Sequence, residues 1–195
     1  MTPPWLVVGL GNPGAGYAGT RHNAGYLVAD LLAERIGGSW KRHRTGRADT
    51  VAGRLGAPGS DSPRVVVVRA RSYMNESGGA VSAVATYEGV EPANLVAVHD
   101  ELDLPFGVLR VKLGGGDNGH NGLRSLRSAL GTGDFHRVRV GIGRPQGRQS
   151  PHDFVLSDWS ATERRELELV VERGMDAVES LLTEGLERAQ SVHNG

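Results

Sequence analysis

The chain has 195 residues, 38% of them hydrophobic and 23% charged, which suits one domain with a sizeable core and argues against wholesale disorder. Twenty-two Lys and Arg balance 22 Asp and Glu, but the balance is uneven: within 105–148, Arg110, Lys112, Arg124, Arg127, Arg137, Arg139, Arg144 and Arg148 stand against only Asp117 and Asp134, a local excess suited to an anion or a nucleic acid. Cysteine is absent, which excludes disulfides, thiolate catalysis and cysteine-ligated zinc, and no apolar run is long enough for a membrane span, so the expectation is a soluble cytoplasmic protein.

Trp5–Leu10 reads as a buried strand ending in glycines. Asn23–Ile36 spaces Leu27, Leu31, Leu32 and Ile36 at helical intervals, and Gly37-Gly38 stops it. Residues 39–54 read as basic and largely irregular, giving way to strands at Thr50–Leu55 and Arg64–Arg69 joined by the loop "GAPGSDSP". Ser77–Tyr87 is a small-residue helix, Leu95–His99 an apolar strand and Val108–Leu113 an alternating one. Gly119–Leu130 reads as a helix and Arg137–Ile142 as a strand. Residues 145–159 read as a polar loop. Ser160 and Glu163 then form a capping-box pattern that opens a helix, interrupted near Gly174, with another running to about Arg188. Strands interleaved with helices imply an α/β fold: a single domain over 1–195 with a central mixed twisted sheet flanked by helices, and a C-terminal helical lid within about 145–190.

Gly9-Leu10-Gly11-Asn12-Pro13-Gly14 satisfies the G-x-G-x-x-G pattern of a dinucleotide loop. Such a loop needs a helix to begin inside the glycine run, so that its amides meet the pyrophosphate. Gly16 and Gly19 follow at once, and each disfavours a helix interior by about 1 kcal/mol relative to alanine. Asp30, the acid at about the right distance, falls in a helical pattern. The better reading is a loop over a sheet edge presenting Asn12, His22 and Asn23.

Four polar clusters end or follow strands: Asn12 to Asn23, "RSYMNESGG" at 71–79, "VHDELDLPFG" at 98–107 and "GGGDNGHNGL" at 114–123. Their convergence would make a hydrolytic site without metal or a nucleophilic serine, since no G-x-S-x-G elbow and no H-E-x-x-H spacing occurs. His99 and Asp100 are strand neighbours whose side chains point to opposite faces. Asp100 is therefore expected to serve another histidine, His22 first and His120 second, with His99 packed structurally. Asn12, Asn75 and Asn121 can each donate and accept without adding charge. An NAD(P)-dependent enzyme, a non-catalytic RNA-binding module and a metallohydrolase stand as alternatives.

With "GLGNPGAGYAGTRHNAG", "SYMNESG", "HDELDLPFG", "GHNGLRS" and "FHRVRVGIGRP" in this order over residues 9–145, the chain closely resembles bacterial-type peptidyl-tRNA hydrolase. The resemblance implies cleavage of the ester between a peptide and the 3′ ribose of tRNA, by water and without a cofactor or metal, recycling tRNA from aborted translation. It puts the catalytic histidine at His22, its aspartate at Asp100, and the recognition of a blocked amino group at Asn12. Asn75 and Asn121 match its asparagines, and Tyr17 and Tyr73 its substrate contacts. Arg110, Lys112 and Arg139 fall at or beside its phosphate contacts. The implied partner is the acceptor stem and 3′ end of peptidyl-tRNA, with no DNA or membrane, and the implied state a monomer with a mobile lid near 145–165. The chain departs from the family pattern in three places. Arg69-Ala70, then Arg71 and Ser72, stand where Lys-Pro usually precedes the tyrosine; Asp117-Asn118 stands where small residues or histidine are commoner, an acid expected to weaken phosphate contact nearby; and Arg110 stands where lysine is also common, keeping the charge with different geometry.

Overall fold

A computed structural model describes residues 2–57, 59 and 61–194, so positions 58 and 60 of the expected loop lie outside the described residues. The strands are β1 (Trp5–Gly9), β2 (Lys41–Arg42), β3 (Ala48–Arg54), β4 (Arg64–Ala70), β5 (Leu95–Glu101), β6 (Leu109–Leu113) and β7 (His136–Gly141). The helices are α1 (Ala24–Arg35), α2 (Ser77–Glu88), α3 (Asn121–Leu130), α4 (Pro151–Val155), α5 (Ala161–Glu184) and α6 (Leu186–His193). The strands form one seven-stranded sheet in the order β2-β3-β4-β1-β5-β7-β6. Its four central strands are parallel, and an antiparallel pairing closes each edge. This is the single mixed α/β domain that the alternation of elements implies.

Successive strand side chains point to opposite faces, so a strand covered on both sides reads as an unbroken apolar run. Val7, Val65, Val67, Val96 and Val98 face one core, closed by α1, α5 and α6. Leu6, Val8, Val66, Val68 and Leu95 face the other, closed by α2 and α3. The N-terminal glycines serve the first of these layers. A Cβ on Gly25 would lie 2.2 Å from the Val98 carbonyl oxygen, and one on Gly9 would lie 2.5 Å from the Gly25 carbonyl oxygen. These absences let α1 settle directly on β1 and β5. Helix α1 begins at Ala24, well past Gly14, and Asp30 lies on it, paired with Arg69 at 2.8 Å. The dinucleotide reading therefore fails on its own geometric requirement.

The structure corrects four expectations. The basic stretch from 39 holds β2 and the start of β3; both β2 residues are exposed, so no apolar alternation marks that edge strand. The polar stretch 145–159 holds α4, opened by Pro151 with Ser150 accepting from the Asp153 amide. Helix α5 runs unbroken through Gly174, because the missing side chain makes room for Val28: a Cβ there would lie 2.9 Å from Val28 Cγ2. Helix α3 starts at Asn121, with His120 as its N-cap in place of Gly119 as its first residue. The Ser160–Glu163 capping box is present as read.

Candidate active site

The carboxyl ends of the parallel strands reach the same edge of the sheet, where ligands of such sheets bind. After β1 the chain turns over this edge and enters a short 3-10 turn, Arg21–Asn23, that leads into α1. Two buried asparagines fix that loop to the helix start. Asn23 Oδ1 accepts from the Asn12 amide at 2.9 Å and Asn23 Nδ2 donates to the Asn12 carbonyl at 2.9 Å. The Asn12 side chain in turn accepts from the Met74 amide at 2.7 Å through Oδ1. That bond orients the amide group and leaves Nδ2 as its spare donor.

His22 lies within the 3-10 turn and is buried. Its Nδ1 is 2.8 Å from Asp100 Oδ2 at the end of β5. His120 reaches the other oxygen, with Nε2 2.8 Å from Asp100 Oδ1. The tautomers follow from these contacts. His120 Nδ1 accepts from the Gly122 and Leu123 amides, so its proton sits on Nε2. His22 donates through Nδ1 to the carboxylate, and its Nε2 lone pair is left without a protein partner among the described residues. Burial opposes ionisation of Asp100, but His22 and His120 outweigh it and hold the carboxyl well below the usual range. Burial likewise opposes the His22 imidazolium, and Asp100 again outweighs it, raising the His22 pKa above 6.5.

His99 is on the opposite side of β5, as strand alternation requires. It is fully buried, donates from Nδ1 to the Asp100 carbonyl at 2.7 Å and packs its ring edge-on against His120, with centroids 5.0 Å apart. Burial and the neighbouring His120 push its pKa down to about 3, which keeps it neutral.

A cleft of about 410 Å³ brings together Asn12, Tyr17, His22, Tyr73, Asn75, Asp100 and Asn121, contributed from four separate parts of the chain. Tyr17 and Tyr73 meet edge-to-face at 6.1 Å. Asn75 and Asn121 are exposed in the cleft, and their side chains are not spent on protein partners. The cleft also includes residues that the motifs did not single out: His152, Val155 and Leu156. His22, Asp100 and His120 offer three ligand atoms within 4.8 Å of one another, close enough for a metal ion. They are engaged instead as two N–H···O pairs on one carboxylate, and the remaining His120 nitrogen is committed to capping α3.

Arg21 is a residue the sequence reading missed. Buried next to His22, it donates to Glu163 at 2.8 Å, to Ser157 Oγ at 2.6 Å and to the Phe154 carbonyl at 3.3 Å, and stacks on the Phe154 ring at 4.1 Å. It thereby ties α4 and the start of α5 to the turn that carries His22. The only signal in the sequence was its place beside that histidine.

Arg110, Lys112 and Arg139 lie outside the cleft, on the paired strands β6 and β7, where Arg110 is registered against Arg139 and Lys112 against Arg137. Arg139 is bound by Glu101 at 3.0 Å. Arg137 is buried and holds the Gly115, Gly116 and Gly133 carbonyls, so it braces the glycine loop. Burial and the charges of Arg139 and Arg137 lower the Lys112 pKa. Asp117 receives the Gly119 amide at 3.0 Å and faces Arg124 and Arg127 at 3.7 and 3.5 Å, so its charge is taken up by α3.

The sequence profile described as peptidyl-tRNA hydrolase matches residues 6–195. The chain belongs to the peptidyl-tRNA hydrolase family. Peptidyl-tRNA hydrolases of Streptomyces coelicolor and Mycolicibacterium smegmatis are 60% and 53% identical to it, each over 98% of this chain and over 95% and 98% of their own lengths. The crystal structure of peptidyl-tRNA hydrolase from Acinetobacter baumannii superposes with a TM-score of 0.87 at 33% identity, covering 100% of this chain and 96% of that one. Family membership makes this a hydrolase acting on peptidyl-tRNA. Among the described residues, no helix of this hydrolase is long and apolar enough to cross a membrane.

Proposed function

We propose that the cleft cleaves the ester joining peptide to tRNA by general-base catalysis. His22 Nε2 takes a proton from water, and that water attacks the ester carbonyl. Asp100 holds the imidazole in the tautomer that frees Nε2 and stabilises the imidazolium that forms. His120, bonded to the same carboxylate, is a positioning residue that fixes its rotation. The leaving group is the 3′ ribose oxygen, which regains a proton from His22. A positioned general base contributes roughly 10²–10⁴-fold. The spare Asn12 Nδ2 donor, or a backbone N–H, would stabilise the developing oxyanion, worth about 10²–10³ more.

Around that centre, Asn12 also distinguishes a blocked from a free amino group. Asn75 and Asn121 hold peptide and water, and Tyr17 and Tyr73 contact the substrate at the mouth. Lys112, Arg110 and Arg139 take phosphates of the acceptor stem; of the three, Arg139 is the one held in an ion pair, with Glu101. Residues 145–165 act as a lid, and the enzyme works as a monomer that recycles tRNA from aborted translation. The observation that carries the reading is the 2.8 Å contact of buried His22 with Asp100 in a cleft lined by three asparagines. Purified protein should cleave labelled peptidyl-tRNA, leave free-amine aminoacyl-tRNA largely intact, and be indifferent to EDTA. Loss of activity with the chelator would restore the metallohydrolase reading.

A further inference from the structure

A second cavity, of about 400 Å³, opens on the far side of the loop that carries Asn12, and Asn12 lines both spaces. Its walls come from α1, from the loop itself and from the ends of β3 and β4. The Tyr26 hydroxyl donates to the Ala70 carbonyl at 3.0 Å, and the Tyr26 ring lies where a side chain on Gly11 would be, 2.6 Å from the nearest ring carbon. Arg69 lies over the Trp40 ring at 4.1 Å and bonds Asp30 at 2.8 Å. Arg71 bonds Asp49 at 2.9 Å. Each guanidinium is held in place by one acid, and each has five N–H donors, more than that contact uses. A cavity with fixed, unspent N–H donors suits a ligand rich in carbonyl oxygens.

Its direction from the catalytic centre points to the ligand. An ester carries its acyl and alkoxy parts on opposite sides of the reacting carbon. The proposed phosphate contacts are on β6 and β7, to one side of β1 and β5 in the strand order, whereas β4 and β3 are on the other. With tRNA leaving toward β6, the acyl chain leaves toward β4. We propose that this cavity is a peptide subsite, in which Arg71 and Arg69 donate to main-chain carbonyls of the residues upstream of the ester. Asn12 lines both spaces, so an extended chain, gaining about 3.3–3.6 Å per residue, reaches the cavity from the cleft only when it continues upstream of the esterified residue. Arg69 and Arg71, in the stretch that departs from the family's Lys-Pro, thus gain a role in binding the peptide. The inference rests on the placement of the phosphate contacts proposed above.

The test compares kcat/KM for an N-acetyl-aminoacyl-tRNA and an N-acetyl-tripeptidyl-tRNA that share tRNA and esterified residue. The native enzyme should favour the longer substrate. In Arg71→Gln the ratio of the two values should fall about tenfold toward one, the scale of one lost charge-assisted hydrogen bond. Arg71 is exposed, and turnover of the short substrate reports that the variant is folded. An unchanged ratio, an equal loss on both substrates, or no length preference in the native enzyme overturns the subsite. Lys112→Ala tests the phosphate placement separately, because it should weaken both substrates equally and leave the ratio intact.

Discussion

Asp100 accepts from two imidazoles, and only one of them keeps a free nitrogen. His120 is locked on both sides, by the carboxylate and by the first amides of α3, whereas His22 retains Nε2. That asymmetry is the physical ground for choosing His22 as base. The motifs alone ranked His22 ahead of His120 but could not show that one carboxylate holds both, because strand alternation says only which way Asp100 points. The pH dependence follows from the directions of the shifts. The base must be unprotonated, so kcat/KM rises with pH through the His22 pKa. Because Asp100 raises that pKa, the midpoint should lie above about 6.5. In Asp100→Asn, burial is left as the main influence, so the midpoint should fall below about 6.5 while the plateau drops by roughly 10²–10⁴. A pH–rate profile of both proteins checks this, and coincident midpoints would remove Asp100 from the mechanism.

Elements were legible where burial leaves a pattern. The runs at 65–68 and 95–98 announced strands covered on both faces, and the structure puts their alternate side chains into two cores. Elements with little apolar burial gave no such signal. Strand β2 is two exposed basic residues, and α4 is a five-residue helix inside a polar stretch. Gly174 misled for a different reason: helix propensity registers the cost of glycine, not the room it leaves for Val28. The attachment of α4 depends on an equally silent contact, Arg21 with Glu163, residues far apart in sequence. Both side chains are largely buried, so Glu163→Gln should destabilise this region by about 3 kcal/mol. Hydrogen exchange should show faster opening of residues 150–160 with the central strands still protected. Uniform protection in the variant would mean that the apolar contacts alone hold α4.

Across the molecule, the even charge count conceals a division of labour. Much of the basic excess at 105–148 is internally engaged: Arg137 under the glycine loop, Arg139 with Glu101, Arg124 and Arg127 with Asp117, and Arg144 with Asp103. Composition could register the excess but not this pairing, which leaves Lys112, Arg110 and Arg148 as the cations of the stretch with least compensation. Lys112→Ala should therefore reduce the salt slope of tRNA binding by about 1 and weaken different tRNAs alike. Binding measured from low to moderate salt decides this, and an unchanged slope would move the phosphate contacts elsewhere on the surface.

Ester cleavage as proposed depends most on a side chain from the first turn of the fold and one from the end of β5 acting together on a single water. Single-turnover cleavage of peptidyl-tRNA by His22→Ala, measured alongside its tRNA affinity, tests that dependence most directly. Cleavage should fall by at least about 10²-fold while the affinity for tRNA stays close to that of the native protein. Near-native cleavage by the variant would contradict it.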